Sequence, residues 1–386
     1  MAMSDRSSVF LRTLTLLAAA SAVLLAGCNR VPSTIRIGVA QPMSGNLAAL
    51  GQDMHNGVKL AVDELNKSGF RVNDKPVTLE IVAVDDRSDA ATGKEVARQL
   101  VEAGVVAVIG HLNSGVSIEA APIYAEKGIA QLAISTNPKY TDLGLKTTFR
   151  LVANDNLQAK AIGSFGGGLP ATRFAVVDDG TPYGKGLADG AAAELKKAKK
   201  EIVLRQSFDD KTTAFDGLAA KLKEGNVESV VSTLNDFQVL ALLEALKKID
   251  YTRLSLLGGD TIKTTAMLKG ADVLQGGLFA TSPILEPLEF STGAKFLEVY
   301  RAAFKTEPTY GGHYSYGAMY VLADAIKRAG SAKPEAITDM LYKFDGYSPV
   351  TGSMKFDSKG EQRYAVISVY AVRRGQWESQ IRSDAW

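Results

Sequence analysis

Between Val105 and Gly128 the chain passes from an apolar, largely β-branched run, Val105-Val-Ala-Val-Ile-Gly110, through His111-Leu-Asn-Ser-Gly-Val-Ser117 into a helical pattern. No other stretch constrains the fold as much. A short continuous apolar run reads as a strand buried on both faces, which is the habit of parallel sheets. The small hydroxyl residues after it stand at the strand's carboxyl end, where a helix N-terminus presents unpaired N–H groups and a partial positive charge, so an anion is the natural guest. The next strand, Ile129 to Ile134, runs into a second such loop, Ser135-Thr-Asn-Pro138. Ligands of open α/β sheets lie outside the carboxyl ends of the strands, and two hydroxyl-bearing loops there outline one carboxylate-binding corner.

The same alternation repeats along the chain. Thr34 to Gln41 reads as a first strand ending in the turn Pro42-Met-Ser-Gly45, and Met54, Val58, Ala61, Val62 and Leu65 recur at helical spacing up to Gly69. Val77 to Val84 is a second strand, ending in Asp85-Asp86. After Asn154 the pattern restarts, with strands at Arg173–Asp178, Ile202–Phe208, Val227–Thr233 and Leu254–Leu257, and a further strand at Gly277–Thr281. Two βαβ arrays in one chain mean two α/β lobes with a cleft between them. Helices follow near Ala294–Phe304, Tyr314–Ala329 and Pro334–Lys343, and a last strand, Tyr364–Val372, adds to an existing sheet.

The first residues differ from the rest. Arg6 and Arg12 precede an apolar run from Leu14 to Ala26, closing on Leu25-Ala-Gly-Cys28. A charged start, a short apolar stretch and small residues at its end make a secretory signal. Leu-Ala-Gly-Cys resembles a bacterial lipobox, so residues 1–27 are expected to be removed and Cys28 lipidated. Cys28 is the only cysteine, which excludes an internal disulfide. A net charge of +2 with 22% charged residues argues against nucleic acid, and the lysines at 196 to 200 suit a solvated helix C-terminus.

Nothing in the chain spells out an enzyme. His55, His111 and His313 stand far apart with no metal-ligand spacing, and neither a Gly-x-Ser-x-Gly elbow nor a phosphate-binding glycine loop is present. Ser114 and Thr136 have a plain alternative as helix or turn caps, but their shared position after consecutive strands favours a ligand. Asp260, after a strand and two glycines, either caps and solvates or pairs with a ligand ammonium. Tyr183, in a Gly-flanked loop, is a cleft aromatic or a turn residue, and Asp236 a pocket residue or a helix cap.

Taken together, Ile37 to Gly45, Val84-Asp-Asp86, Val108 to Leu112 with Ser114, Ser135 to Pro138, Tyr183-Gly-Lys-Gly-Leu187 and Phe356-Asp-Ser-Lys-Gly360 resemble the periplasmic leucine/isoleucine/valine-type binding proteins of ABC importers. The resemblance covers nearly all of the chain after the leader. It implies a two-lobe type I flytrap with a mainly parallel sheet in each lobe and three hinge crossings, near Ala153–Asn154, Thr281–Ser282 and Tyr364–Ala365. Residues 28–33 are then a tether, 34–153 plus 282–364 one lobe, and 154–281 plus 365–386 the other. It implies that Ser114 and Thr136, with backbone from Ser135, hold an amino-acid carboxylate, that Asp260 holds the ammonium, and that Tyr183 closes over the ligand. Leu50, Asn235 and Asp236 fall where aromatics often line the side-chain pocket, and Ser88 and Asn113 where some members carry a disulfide. These departures leave the amino-acid head in place and open the side-chain preference to polar or larger groups. The expected protein is a monomeric, lipid-anchored periplasmic receptor without cofactor, delivering an amino acid to a permease in the inner membrane. The rival reading is the same module sensing amides or amino acids for a signalling partner.

Overall fold

The structure is a computed structural model that describes residues 31–385, so the leader and Cys28 lie outside the described residues. In chain order, β1 (Thr34–Gln41), α1 (Ala48–Lys67), a small hairpin of β2 (Arg71–Val72) and β3 (Lys75–Pro76), β4 (Thr78–Asp85), α2 (Ala90–Glu102), β5 (Ala107–Gly110), α3 (Ser114–Ala125), β6 (Ala130–Ala133), α4 (Lys139–Asp142) and β7 (Thr148–Arg150) build the first lobe. Its sheet is wholly parallel, in the order β4-β1-β5-β6-β7. Alternation along the strands sends Ile35, Ile37, Val39, Ala107 and Ile109 to one face, against α1, and Ala40 and Val108 to the other, against Leu100 of α2 and Tyr124 of α3. Both faces are therefore covered, which is why β5 reads as an unbroken apolar run and β6 is buried throughout, Gln131 included.

The second lobe repeats the plan with α5 (Asp155–Gly168), β8 (Arg173–Asp178), α6 (Pro182–Lys197), β9 (Glu201–Ser207), α7 (Asp216–Glu224), β10 (Ser229–Thr233), α8 (Asp236–Lys248), β11 (Ser255–Gly258) and β12 (Leu278–Ser282). Phe174 and Val176 of β8 face α5 and α6, whereas Ala175 and Val177 face α7 and α8. The chain then returns to the first lobe as α9 (Gly293–Phe304), α10 (Gly312–Ala329), α11 (Pro334–Tyr342) and a hairpin of β13 (Asp345–Ser348) and β14 (Gly352–Lys355), and ends in the second lobe as β15 (Ser368–Arg373) and β16 (Gln376–Arg382). The second sheet runs β16-β15-β12-β11-β10-β8-β9, with β15 and β16 antiparallel.

Three differences from the sequence reading have physical causes. One strand was expected at the end of the chain and two are present; β16 is a polar edge strand whose residues, Gln-Trp-Glu-Ser-Gln-Ile-Arg, are mostly exposed and carry no burial signal. The β13–β14 hairpin was not read, because its pairs Tyr347–Ser353 and Ser348–Gly352 lack apolar alternation. Pro122, which in the sequence leaves the start of this helix open, lies in the last turns of α3, which begins at Ser114. Among the described residues no helix is long and apolar enough to cross a membrane.

Packing is close where α1 meets α10. A Cβ at Gly57 would lie 1.9 Å from the Gly312 carbonyl oxygen, so only glycine lets the two helices approach this closely. One turn earlier, Asp53 receives the backbone N–H groups of Tyr310 and Gly312, both at 2.8 Å, and the Tyr300 hydroxyl at 2.7 Å. The loop entering α10 is thus fixed by a buried carboxylate.

The lobes are joined at residues 151–154, 283–285 and 362–367, where the chain leaves one sheet for the other. Beside the first and third crossings lies Arg150, the largest fully buried side chain. Its Nε donates to Glu361 at 3.0 Å, one Nη to the Ser135 carbonyl, and the other to the Asn137 carbonyl and the Thr141 hydroxyl, each at 3.0 Å. One guanidinium therefore ties the loop after β6 to the third crossing. Removing one member of a buried ion pair leaves the other uncompensated. Arg150→Ala is expected to lower stability by about 3 kcal/mol or more, measured by urea unfolding. Arg150→Lys, which keeps the charge without the planar fork, should recover only part of the loss.

Candidate functional site

A cavity of about 460 Å³ opens between the lobes, bounded by the loops after β1, β4, β5 and β6 on one side and after β8, β9, β10 and β11 on the other. That size lies within the range of about 300–1,000 Å³ usual for small-molecule sites. Helices α3, α6 and α8 all begin at its wall, which brings the positive ends of three helix dipoles to a shared space.

Ser114, Thr136, Tyr183, Asn235, Asp260, Leu50 and Asn113 all line the cavity. Ser114 is the first residue of α3 and is 2% exposed; its Oγ accepts the Asn137 N–H at 3.2 Å. Thr136 stands beside it on the neighbouring loop, 3% exposed. Ser135 is not a lining residue: its hydroxyl turns into the first lobe, toward Ser117 and the His111 carbonyl. Behind this loop, His111 forms a buried strut, with Nδ1 2.7 Å from Asp86 and Nε2 3.1 Å from the Tyr124 hydroxyl.

Across the cleft, Asp260 opens a short 3-10 turn after β11. It is 4% exposed. Its Oδ1 accepts from Gln158 at 3.0 Å and from the Tyr183 hydroxyl at 2.9 Å, and its Oδ2 from the Tyr310 hydroxyl at 2.6 Å. Burial and the Asp260 charge hold both tyrosine hydroxyls protonated far above the ordinary range, so each stays a donor. Tyr310 belongs to the first lobe and Asp260 to the second. Their hydrogen bond spans the cleft, as does that from the Asn137 side chain to the Pro182 carbonyl at 2.6 Å.

The far end of the cavity mixes apolar and polar walls: Leu47, Leu50 and Phe237 beside Asn46, Asn235 and Asp179. Asp179 accepts from Thr181 and, at 3.2 Å, from the Asn235 amide; burial pushes its pKa up to about 6 against the Thr181 donors. At the mouth, Arg87 and Asp89 of one lobe face Asp210 and Lys211 of the other.

Two placements correct the sequence reading. Asp236 was expected in the pocket, yet its carboxylate takes the Thr264 hydroxyl at 2.8 Å and the Phe237 N–H at 2.7 Å, away from the cavity. Nor is Asp236 the cap of α8: Asn235 is, in a capping box with Gln238, and that turn swings the next aromatic, Phe237, into the wall. The aromatic missing at positions 235 and 236 is thus supplied one residue on. Tyr310 went unread because it sits in the loop Thr309-Tyr-Gly-Gly312, with no periodicity to flag it.

The arrangement offers hydroxyls and helix N-termini for an anion on one lobe, a buried carboxylate for a cation on the other, and a partly apolar space beyond. The profile of the Periplasmic binding protein family matches residues 34–376. The Leu/Ile/Val-binding protein homolog 1 of Brucella abortus is 30% identical over 344 residues, covering 88% of this chain and 91% of that protein. A leucine-binding protein from Thermotoga maritima superposes with a TM-score of 0.81 at 25% identity, covering 90% of this chain and 98% of the other. The branched-chain amino acid transporter substrate-binding protein LivJ of Streptococcus pneumoniae, solved with isoleucine, gives 0.80 at 25% identity, with 90% and 98% coverage. The chain belongs to the periplasmic binding protein family, whose members are substrate-binding receptors for ABC transporters and not enzymes.

Proposed function

We propose that this receptor binds an amino acid, branched-chain or related, in the interlobe cleft and delivers it to an ABC permease. The observation that carries the reading is Asp260: a carboxylate 4% exposed, facing across the cavity the lobe that bears Ser114 and Thr136. The ligand carboxylate lies on the Ser114 and Thr136 hydroxyls and the N–H groups at the start of α3. Its ammonium pairs with Asp260. Tyr183 packs over it from the second lobe, and the side chain extends toward Leu50, Phe237 and Asn235. Such a ligand touches both lobes and so has differential affinity for the closed state, which is what drives closure. The receptor acts as a monomer, held at the membrane by lipid on Cys28, and hands its ligand to a permease of the inner membrane.

The test is thermal unfolding of leader-less protein, first unfolded and refolded to strip bound ligand, against amino acids, short amides and aromatic acids. A binder raises the transition by several degrees at saturating excess. A shift confined to α-amino acids is expected; a shift only with amides or with acids lacking an ammonium overturns the reading. For a bound amino acid, Asp260→Ala should weaken affinity by at least about 100-fold, because an ammonium left unpaired in a closed cleft costs several kcal/mol. Ser114→Ala and Thr136→Ala should each cost about 1–3 kcal/mol, as hydrogen bonds to a charged group. Titration calorimetry measures all three.

A further inference from the structure

Beside Asp260 lies a second acid that this reading leaves unused. Asp155, the first residue of α5, is 3% exposed, and among the described residues neither carboxylate oxygen has a hydrogen-bond partner. Its position is held from two sides. Its N–H donates to the Thr136 carbonyl at 2.8 Å, tying it to the ligand loop of the first lobe. One turn on, Gln158 shares its helix face and donates to Asp260.

The groups that act on it are Asp260 after β11, Arg150 from β7 and the Thr136 hydroxyl; Tyr183 and Tyr310, both bonded to Asp260, feel its charge in turn. Arg150 is committed to Glu361, Thr141 and the backbone of Ser135 and Asn137. The tyrosine and glutamine donors all go to Asp260, so of the two acids Asp155 is the less well solvated, with the Thr136 hydroxyl as the one donor acting on its carboxylate.

We propose that Asp155 is a proton-linked member of the ammonium site, protonated in the ligand-free receptor and ionised when a ligand ammonium pairs with Asp260. The inference rests on the amino-acid reading above. The ligand enters as its zwitterion, the Asp155 O–H bond breaks with its electron pair left on the carboxylate, and one proton passes to solvent. Burial and the Asp260 charge push the Asp155 pKa up to about 8, against the pull of Thr136 and Arg150. A cation beside Asp260 acts in the opposite direction. Binding that releases a proton strengthens as pH rises. Below the ligand-free pKa, affinity falls about tenfold per pH unit until the pKa of the complex is reached. A carboxylic acid without an ammonium leaves the proton in place and shows no such slope.

The experiment is a pH titration by NMR of receptor labelled with ¹³C at its aspartate carboxyls, as wild type, D155N and D260N, stripped of ligand and then with a mixture of the common L-amino acids in excess. One carboxyl with a midpoint near pH 8 is expected in the free receptor, absent in D155N, moved to lower pH in D260N, and moved down by about two units or more on adding the mixture. If D155N fails to fold, the shift in D260N identifies the same resonance. A free receptor with no carboxyl titrating above about pH 6 overturns the proposal. So does a high-pH resonance unmoved by a mixture that raises the unfolding temperature. A mixture that leaves that temperature unchanged overturns the amino-acid reading, and the linked release with it, while the ligand-free midpoint still decides whether Asp155 holds a proton.

Discussion

A carboxylate withdrawn from water and reached by hydroxyls of both lobes is what the cleft is arranged around. Asp260 takes donors from Tyr183 and Gln158 of its own lobe and from Tyr310 of the other. Two of these donors are themselves anchored. Tyr310 is held by Asp53, which binds the backbone on both sides of Gly311, and Gln158 lies one turn inside the helix that begins at the first crossing. The Tyr310 bond forms only when the lobes stand close, so the chemistry of one side chain is coupled to closure of the whole molecule. A buried carboxylate lacking a counter-charge is costly, and the cation that satisfies it is worth correspondingly more.

The opposite wall depends on rigidity. Arg150 grips the carbonyls of Ser135 and Asn137 on either side of Thr136, while the Ser114 hydroxyl takes the Asn137 N–H. The two hydroxyls are therefore presented by two segments already bonded to each other, which reduces the ordering cost of binding. Because the same guanidinium holds Glu361 at the third crossing, the anion site and the hinge are parts of one buried polar network. The β6 loop continues through β7 to the first crossing, where Asp155 bonds back to Thr136.

The lobe plan was legible because apolar runs such as Val105–Gly110 and the helical spacing of Met54, Val58 and Leu65 are local consequences of burial. Part of the site was legible for a related reason: in parallel sheets the loops at strand carboxyl ends converge, so Ser114 and Thr136 could be brought together from their positions after strands, whereas Tyr183 and Asp260 joined them only through the family resemblance. What the sequence hid depends on long-range approach. Tyr310 and Asp260 are 50 residues apart and meet only across the cleft. Phe237 was missed by one residue because the Asn235 cap decides which side chain of that turn faces inward. Asp155 reads as an ordinary acid in a first helical turn, favoured there by the macrodipole; only the folded structure shows it sealed beside a second carboxylate.

The central claim is that an ammonium on Asp260 supplies much of the binding energy. It is tested most directly by calorimetry on ligand-stripped receptor, comparing each amino acid that binds with its own deaminated acid, identical in carboxylate and side chain. The account predicts that loss of the ammonium weakens affinity by about 100-fold or more. Equal affinity for the two members of a pair would contradict it.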